Sequence, residues 1–212
     1  MSNDEAAKAN AGQAPCVGGL IVLSGPAGAG KTTVAERLCR ELGLRRAVTA
    51  TTRAPRPGEV DGRDYFFLTE EEFERRLTRG EFLEHARVHG SLYGTPRASV
   101  EEALRAGEAR LLVIDVQGAM QVQEQWPQAL FIFLDAPDAA LGDRLAGRNT
   151  ESEDERRRRR THAAAERHYK EHYDYCVVND DLERTVAELR TLLCRARKPE
   201  DRRQRLHGRG TH

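Results

Sequence analysis

The residues best able to do chemistry lie in one run, Leu20-Ile21-Val22-Leu23-Ser24-Gly25-Pro26-Ala27-Gly28-Ala29-Gly30-Lys31-Thr32-Thr33. Gly25, Gly30, Lys31 and Thr32 have the spacing of a Walker A phosphate loop. In such a loop backbone N–H groups surround phosphate oxygens, the lysine reaches the β- and γ-phosphates, and the following hydroxyl can ligate Mg²⁺. Context supports this: a β-rich apolar run precedes the glycines, and Val34, Leu38 and Leu42 recur at helical spacing after them. Nucleotide contacts are therefore expected from Gly25, Pro26, Ala27, Gly28, Ala29, Gly30, Lys31, Thr32 and Thr33, with Lys31 catalytic and Thr32 a Mg²⁺ ligand. Lysine is otherwise scarce, occurring only as Lys8, Lys31, Lys170 and Lys198 among 34 basic residues. A chain that writes its positive charge as arginine keeps lysine where a compact ammonium on a flexible stem suits phosphate.

Elements must hold this loop in place. Leu111–Asp115, Leu130–Leu134 and Tyr175–Asn179 read as further strands, with amphipathic segments between them, and that alternation predicts an α/β fold with a parallel sheet. Ligands in such folds sit at the carboxyl ends of strands. Asp115, closing one strand, is expected to meet the phosphate loop as a carboxylate near Mg²⁺ or an acceptor nucleotide; its plainer reading is a helix N-cap.

The 212 residues suit a single α/β domain. Net charge is zero and no apolar run approaches the roughly 18 residues of a membrane span, so neither a membrane nor a generally basic nucleic-acid binder is indicated. Residues 1–17 are small and polar, without the apolar core of a signal peptide, and read as a disordered leader with the cytoplasm as address. Cys16, Cys39, Cys176 and Cys194 stand singly, which favours reduced thiols over zinc or disulfides.

Between Thr49 and Arg97 prolines and glycines punctuate the chain. Arg53 and Arg56 offer bidentate donors that match a phosphate dianion, and Tyr65 and Tyr93 can add phenolic donors. Thr69-Glu70-Glu71-Glu72 reads as a capping box, so those carboxylates belong to a helix start.

Several ordered motifs now carry a resemblance: Ser24–Thr33; Thr51-Thr52-Arg53, Pro55-Arg56, Gly58-Glu59, Gly62 and Tyr65; Phe82-Leu83-Glu84; Tyr93-Gly94-Thr95; Ile114-Asp115, Gln117-Gly118; Arg144-Leu145, Gly147-Arg148; and Val178-Asn179-Asp180-Asp181. From about Gly19 to about Arg197 the chain resembles the bacterial type of guanylate kinase. The resemblance implies a P-loop NTPase-like parallel sheet flanked by helices, a small GMP-binding subdomain and a mobile lid. The core would span 18–48, 98–140 and 164–197, the GMP-binding subdomain 49–97 and the lid 141–163, leaving 198–212 as a disordered basic tail. The implied reaction moves a phosphoryl group from ATP to GMP, giving ADP and GDP, with Mg²⁺. Arg53, Arg56, Tyr65 and Tyr93 match positions that hold the GMP phosphate, and Thr49, Glu84 and Thr95 those that read guanine. Asp115 belongs with the GMP-binding set, Asn179 matches a position near the adenine of ATP, and Arg144, Arg148 and Arg159 match the lid arginines. A homodimer is left open.

Three departures stand out. Ala27 replaces a serine common in the family loop, Val113 an aspartate, and Arg156–Arg160 is an unbroken basic run for which a loosely packed lid segment is expected. That run and the Arg/His-rich tail suggest a rival, an accessory contact with nucleic acid. Net neutrality, the preceding Glu151, Glu153, Asp154 and Glu155, and the lack of interleaved aromatics argue against it. A second rival is a binding module that has lost catalysis and holds a phosphorylated partner, against which the intact Gly25–Thr32 loop counts. A third changes the acceptor to another phosphorylated small molecule; Glu84, Tyr93 and Thr95 together favour GMP.

Overall fold

The computed structural model describes residues 19–88, 90–137 and 164–195. In chain order the elements are β1 (Leu20–Ser24), α1 (Lys31–Leu42), β2 (Arg45–Arg46), β3 (Thr49–Thr51), β4 (Tyr65–Phe67), α2 (Glu70–Thr78), β5 (Phe82–Val88), β6 (Ser91–Pro96), α3 (Arg97–Arg105), β7 (Arg110–Val113), α4 (Val116–Gln125), β8 (Leu130–Asp135), a 3-10 turn (His168–His172), β9 (Tyr175–Val178) and α5 (Leu182–Arg195).

The main sheet has the order β2-β7-β1-β8-β9 with every pair parallel. Both faces of a parallel sheet must be covered, and strand alternation divides the apolar side chains between them. Ile21 and Leu23 of β1 with Ile132 and Leu134 of β8 pack beneath Val34 and Leu38 of α1 and Val186, Leu189 and Leu193 of α5. Leu20, Val22, Phe131 and Phe133 face the other way, against Val100 of α3 and Val116, Ala119 and Val122 of α4. β1 leads toward the β2 edge while β8 leads toward β9, so the strand order reverses between β1 and β8. The loop after β1 opens at that switch point, where α/β sheets bind ligands.

A second sheet, β4-β3-β6-β5, is mixed: β3 and β4 run parallel, and β6 is antiparallel to both β3 and β5. One face is closed by α2, where Phe73 stacks on Phe82 at 4.4 Å between ring centroids, with Ala50, Phe66 and Leu92 around them. Gly94 is required at this packing, because a Cβ there would press on both rings. α2 starts at Thr69, whose hydroxyl accepts from the Glu72 N–H at 3.1 Å, as the capping box predicts. Glu72 itself pairs with Arg76 at 2.7 Å and with Arg75.

Three strand C-termini differ from the sequence reading. β7 stops at Val113, because Ile114 and Asp115 turn into α4; β8 continues one residue further, to Asp135; and β9 stops at Val178, one residue before Asn179. The leader, the lid segment with its arginine run, and the basic tail lie outside the described residues.

Candidate active site

β1 delivers the chain into the Gly25–Gly30 loop. Gly25 has φ 139°, and a Cβ there would collide with the Leu134 carbonyl of β8, so only glycine lets the loop turn this close to the sheet. Gly30 is left-handed at φ 88° and begins α1 without a side-chain cap, which leaves the first-turn N–H groups suited to an anion. The loop is braced from within by Ala29 N–H on the Pro26 carbonyl at 3.1 Å. Asn179, 2% exposed at the end of β9, donates its Nδ2 to the Ala29 carbonyl at 2.7 Å. Asn179 therefore reaches the site through the loop backbone.

Lys31 folds back on the loop, donating from Nζ to the Gly25 carbonyl at 2.6 Å and the Pro26 carbonyl at 3.0 Å. Burial pushes its pKa down, against the charges of Glu166 and Asp115, which favour the ammonium. Thr32 and Thr33 are exposed on the first turn of α1. Asp115 caps α4, accepting from the Gly118 N–H at 2.8 Å. It is the cap of the plainer sequence reading and also faces Lys31; burial raises its pKa, opposed by the Gly118 bond and by Lys31.

Glu166 was not singled out from the sequence. Its carboxylate lies beside the Ala27 amide and Lys31; burial pushes its pKa up to about 7, with Lys31 and the Ala27 amide opposing and Asp115 adding. A carboxylate thus sits against a loop amide. No local motif marks Glu166, which follows the lid segment far down the chain from Lys31.

The second sheet supplies the other half of the site. Alternation that sends Ala50, Phe66 and Gly94 toward α2 sends Thr49, Tyr65, Tyr93 and Thr95 to the opposite face. Glu84 pairs with Thr95 across β5 and β6 and joins them. Glu84 is 3% exposed, and the Thr95 hydroxyl donates to its Oε1 at 2.6 Å. Burial pushes its pKa up to about 7, opposed by the Thr95 hydrogen bonds and reinforced by Asp115.

Arg53 lies two residues beyond β3. Its guanidinium stands 5.4 Å from the Tyr65 ring centroid, and the Tyr93 phenol lies beside it. The Tyr65 and Tyr93 rings meet edge-on at 6.2 Å. The Arg53 fork is anchored by Glu59, from Nη2 to both carboxylate oxygens at 2.8 and 2.9 Å, and Glu59 also accepts from the Arg56 N–H at 2.7 Å. Those bonds outweigh burial and hold the Glu59 pKa low. Glu59 was visible in the sequence only as part of a motif, without a role. The Arg56 side chain is exposed at the loop tip. Arg144, Arg148 and Arg159 lie outside the described residues.

The sequence profile of guanylate kinases matches residues 18–196. The chain belongs to the guanylate kinase family. It is similar to the guanylate kinase of Fusobacterium nucleatum, 44% identical over 84% of this chain and 96% of that one. Similarity to the guanylate kinase of Rubrobacter xylanophilus is 49%, over 81% and 91%. Among solved structures, guanylate kinase from Anaplasma phagocytophilum superposes with a TM-score of 0.69 at 38% identity, covering 84% of this chain and 85% of its own. Family membership extends over both sheets and over the loop that carries Lys31.

Proposed function

We propose that this chain transfers the γ-phosphoryl group of ATP to GMP, giving ADP and GDP, with ATP in the phosphate loop and GMP on the polar face of the second sheet. Glu84 carries the reading. Guanine presents N1–H and a 2-amino group, and an ionised carboxylate accepts from both; adenine has an unprotonated N1 and no 2-amino group. Thr49 and Thr95 hydroxyls can donate to O6. Arg53, Arg56, Tyr65 and Tyr93 hold the acceptor phosphate, and Glu59 keeps the Arg53 fork oriented toward it.

The attacking oxygen belongs to a phosphate that is already anionic, so no strong base is needed. The new O–P bond forms to GMP while the bond to the leaving ADP oxygen breaks, and position and charge do most of the work. Lys31 swings from the Gly25 and Pro26 carbonyls to phosphate oxygens. The Glu166 carboxylate moves aside from the Ala27 amide for the incoming phosphates, and Asn179 keeps the loop in shape. Arg144, Arg148 and Arg159 would complete the positive surround, and closure over the site would keep water from the γ-phosphate.

Mg²⁺ fits the oxygen donors present. Among the described residues no cluster of three His, Cys, Asp or Glu side chains could cage an ion. The Thr32 hydroxyl and the Asp115 carboxylate are hard ligands suited to an ion that arrives with substrate phosphates. When bound it neutralises charge on the transferring group. No helix among the described residues is long and apolar enough to cross a membrane. We place the reaction in the cytoplasm with its nucleotide substrates. A catalytically silent module would have no use for Lys31 in an intact loop.

The test is ADP release with ATP and Mg²⁺ and, in parallel, GMP, AMP, CMP or UMP. Turnover should depend on GMP; equal turnover with AMP, or none with any acceptor, would reject the reading.

A further inference from the structure

β5 is the last strand of its sheet, so one side of its backbone has no strand partner. Free N–H and C=O groups at a strand edge must find other partners to hold the strand still. Here α4 provides them with side chains. Gln121 accepts from the His85 N–H through Oε1 at 3.0 Å and donates from Nε2 to the His85 carbonyl at 2.7 Å. Gln125 donates from Nε2 to the Leu83 carbonyl at 2.8 Å. The backbone dictates how the Gln121 amide is turned, because an N–H needs the oxygen and a C=O needs the nitrogen. Gln125 is steadied in turn by Arg97, whose Nη2 donates to its Oε1 at 2.6 Å.

The three backbone groups belong to residues 83 and 85, on either side of Glu84. Positions 118, 121 and 125 share one face of α4, and at Gly118 a Cβ would overlap Oε2 of Glu84. The Glu84 carboxylate is therefore bounded by Thr95 on the sheet side and by Gly118 on the helix side. The same helix begins at Asp115, which faces Lys31.

We propose that Gln121 and Gln125 are positioning residues for the base pocket: they clamp the free edge of β5 to α4 and so fix Glu84 relative to both the acceptor base and the phosphate loop. The inference rests on the GMP kinase reading above. Both glutamines act through Glu84 and touch no substrate. Their bonds to β5 are neutral and lie at a partly solvated edge, where a single bond adds little to folding stability. A shift of about an ångström in Glu84 would nonetheless weaken a bidentate contact with guanine.

Gln121→Met keeps the length of the side chain and removes both bonds. With ATP and GMP varied in turn, we expect its KM for GMP to rise about tenfold while its KM for ATP and its kcat stay within about twofold of wild type. Melting close to that of wild type would accompany this split. Unchanged KM for GMP, or an equal rise in both KM values, would overturn the proposal. If Gln121→Met does not fold, Gln125→Met carries the same test, with a smaller rise in KM for GMP expected and no rise overturning it. Wild-type protein without GMP-dependent ADP release would overturn the kinase reading and this inference with it, an outcome distinct from a wild type that works beside an unaltered variant.

Discussion

On the proposed function a ligand in the phosphate loop would meet backbone N–H groups and one ammonium, whereas on the polar face of the second sheet it would meet side chains: Glu84, Thr95, Tyr93 and Arg53. The loop gets its shape from glycines and from main-chain bonds, with Gly25 packed against Leu134 and the Ala29 carbonyl held by Asn179. The sheet face gets its shape from side-chain pairs, Thr95 on Glu84 and Glu59 on Arg53. Backbone donors match any phosphate and say nothing about the base, while a buried carboxylate with a fixed partner rejects the wrong base by being left unpaired. On that function the loop would capture the ATP phosphates, while the sheet face would hold the acceptor phosphate through Arg53 and Tyr93 and choose the base through Glu84 and Thr95. They should also respond differently to substitution. On the proposed function the loop should tolerate Ala27, because its cradle is main chain.

The division can be broken first at Lys31. Lys31→Ala should lower kcat by about 10³-fold without changing the order of preference among acceptors, since the ammonium meets phosphate alone. A change of preference with this variant would mean that the loop also senses the base.

The next effect is in pH. Glu84 has a pKa raised to about 7 by burial, so below that value it holds a proton that guanine's N1–H and 2-amino donors cannot use. On the proposed function GMP binds the ionised form. Its KM should rise as pH falls, by up to about tenfold from pH 8 to pH 6 for one proton. The GMP phosphate also titrates near 6, so Glu84→Gln sets the baseline. A slope identical in wild type and Glu84→Gln would remove Glu84 from the account.

Smaller still is Glu59→Gln. The Arg53 fork keeps a neutral partner but loses its ion pair, and KM for GMP should rise about threefold, the scale of a partly exposed pair. Equal change in KM for ATP would show a general loosening in place of a local one.

How much of this was legible in the sequence follows from the same contrast. The loop could be read directly because its residues are contiguous and its chemistry is main chain. The strands of the core could be read from their apolar runs, but their ends could not: Asp115 caps α4 and is proposed as a site carboxylate, and its position depends on where β7 releases the chain. On the sheet face Arg53, Arg56, Tyr65 and Tyr93 could be read as donors to a phosphate from their types, whereas Thr49, Glu84 and Thr95 were found only through the family resemblance. Thr49, Glu84 and Thr95 come together through strand register, which periodicity does not supply. Glu166 and Gln121 went unread for a related reason. Each acts on a partner far away in sequence, Ala27 for one and His85 for the other, and a glutamate or glutamine on a helix looks like a solvated residue until the fold brings that partner to it.

The central claim is that base choice resides in Glu84 and not in the loop. It is tested most directly by kcat/KM for GMP and for AMP at saturating ATP, in wild type and in Glu84→Ala. The account predicts a ratio that falls by about 10²-fold or more in the variant, with KM for ATP unchanged. A ratio that survives the substitution would contradict it.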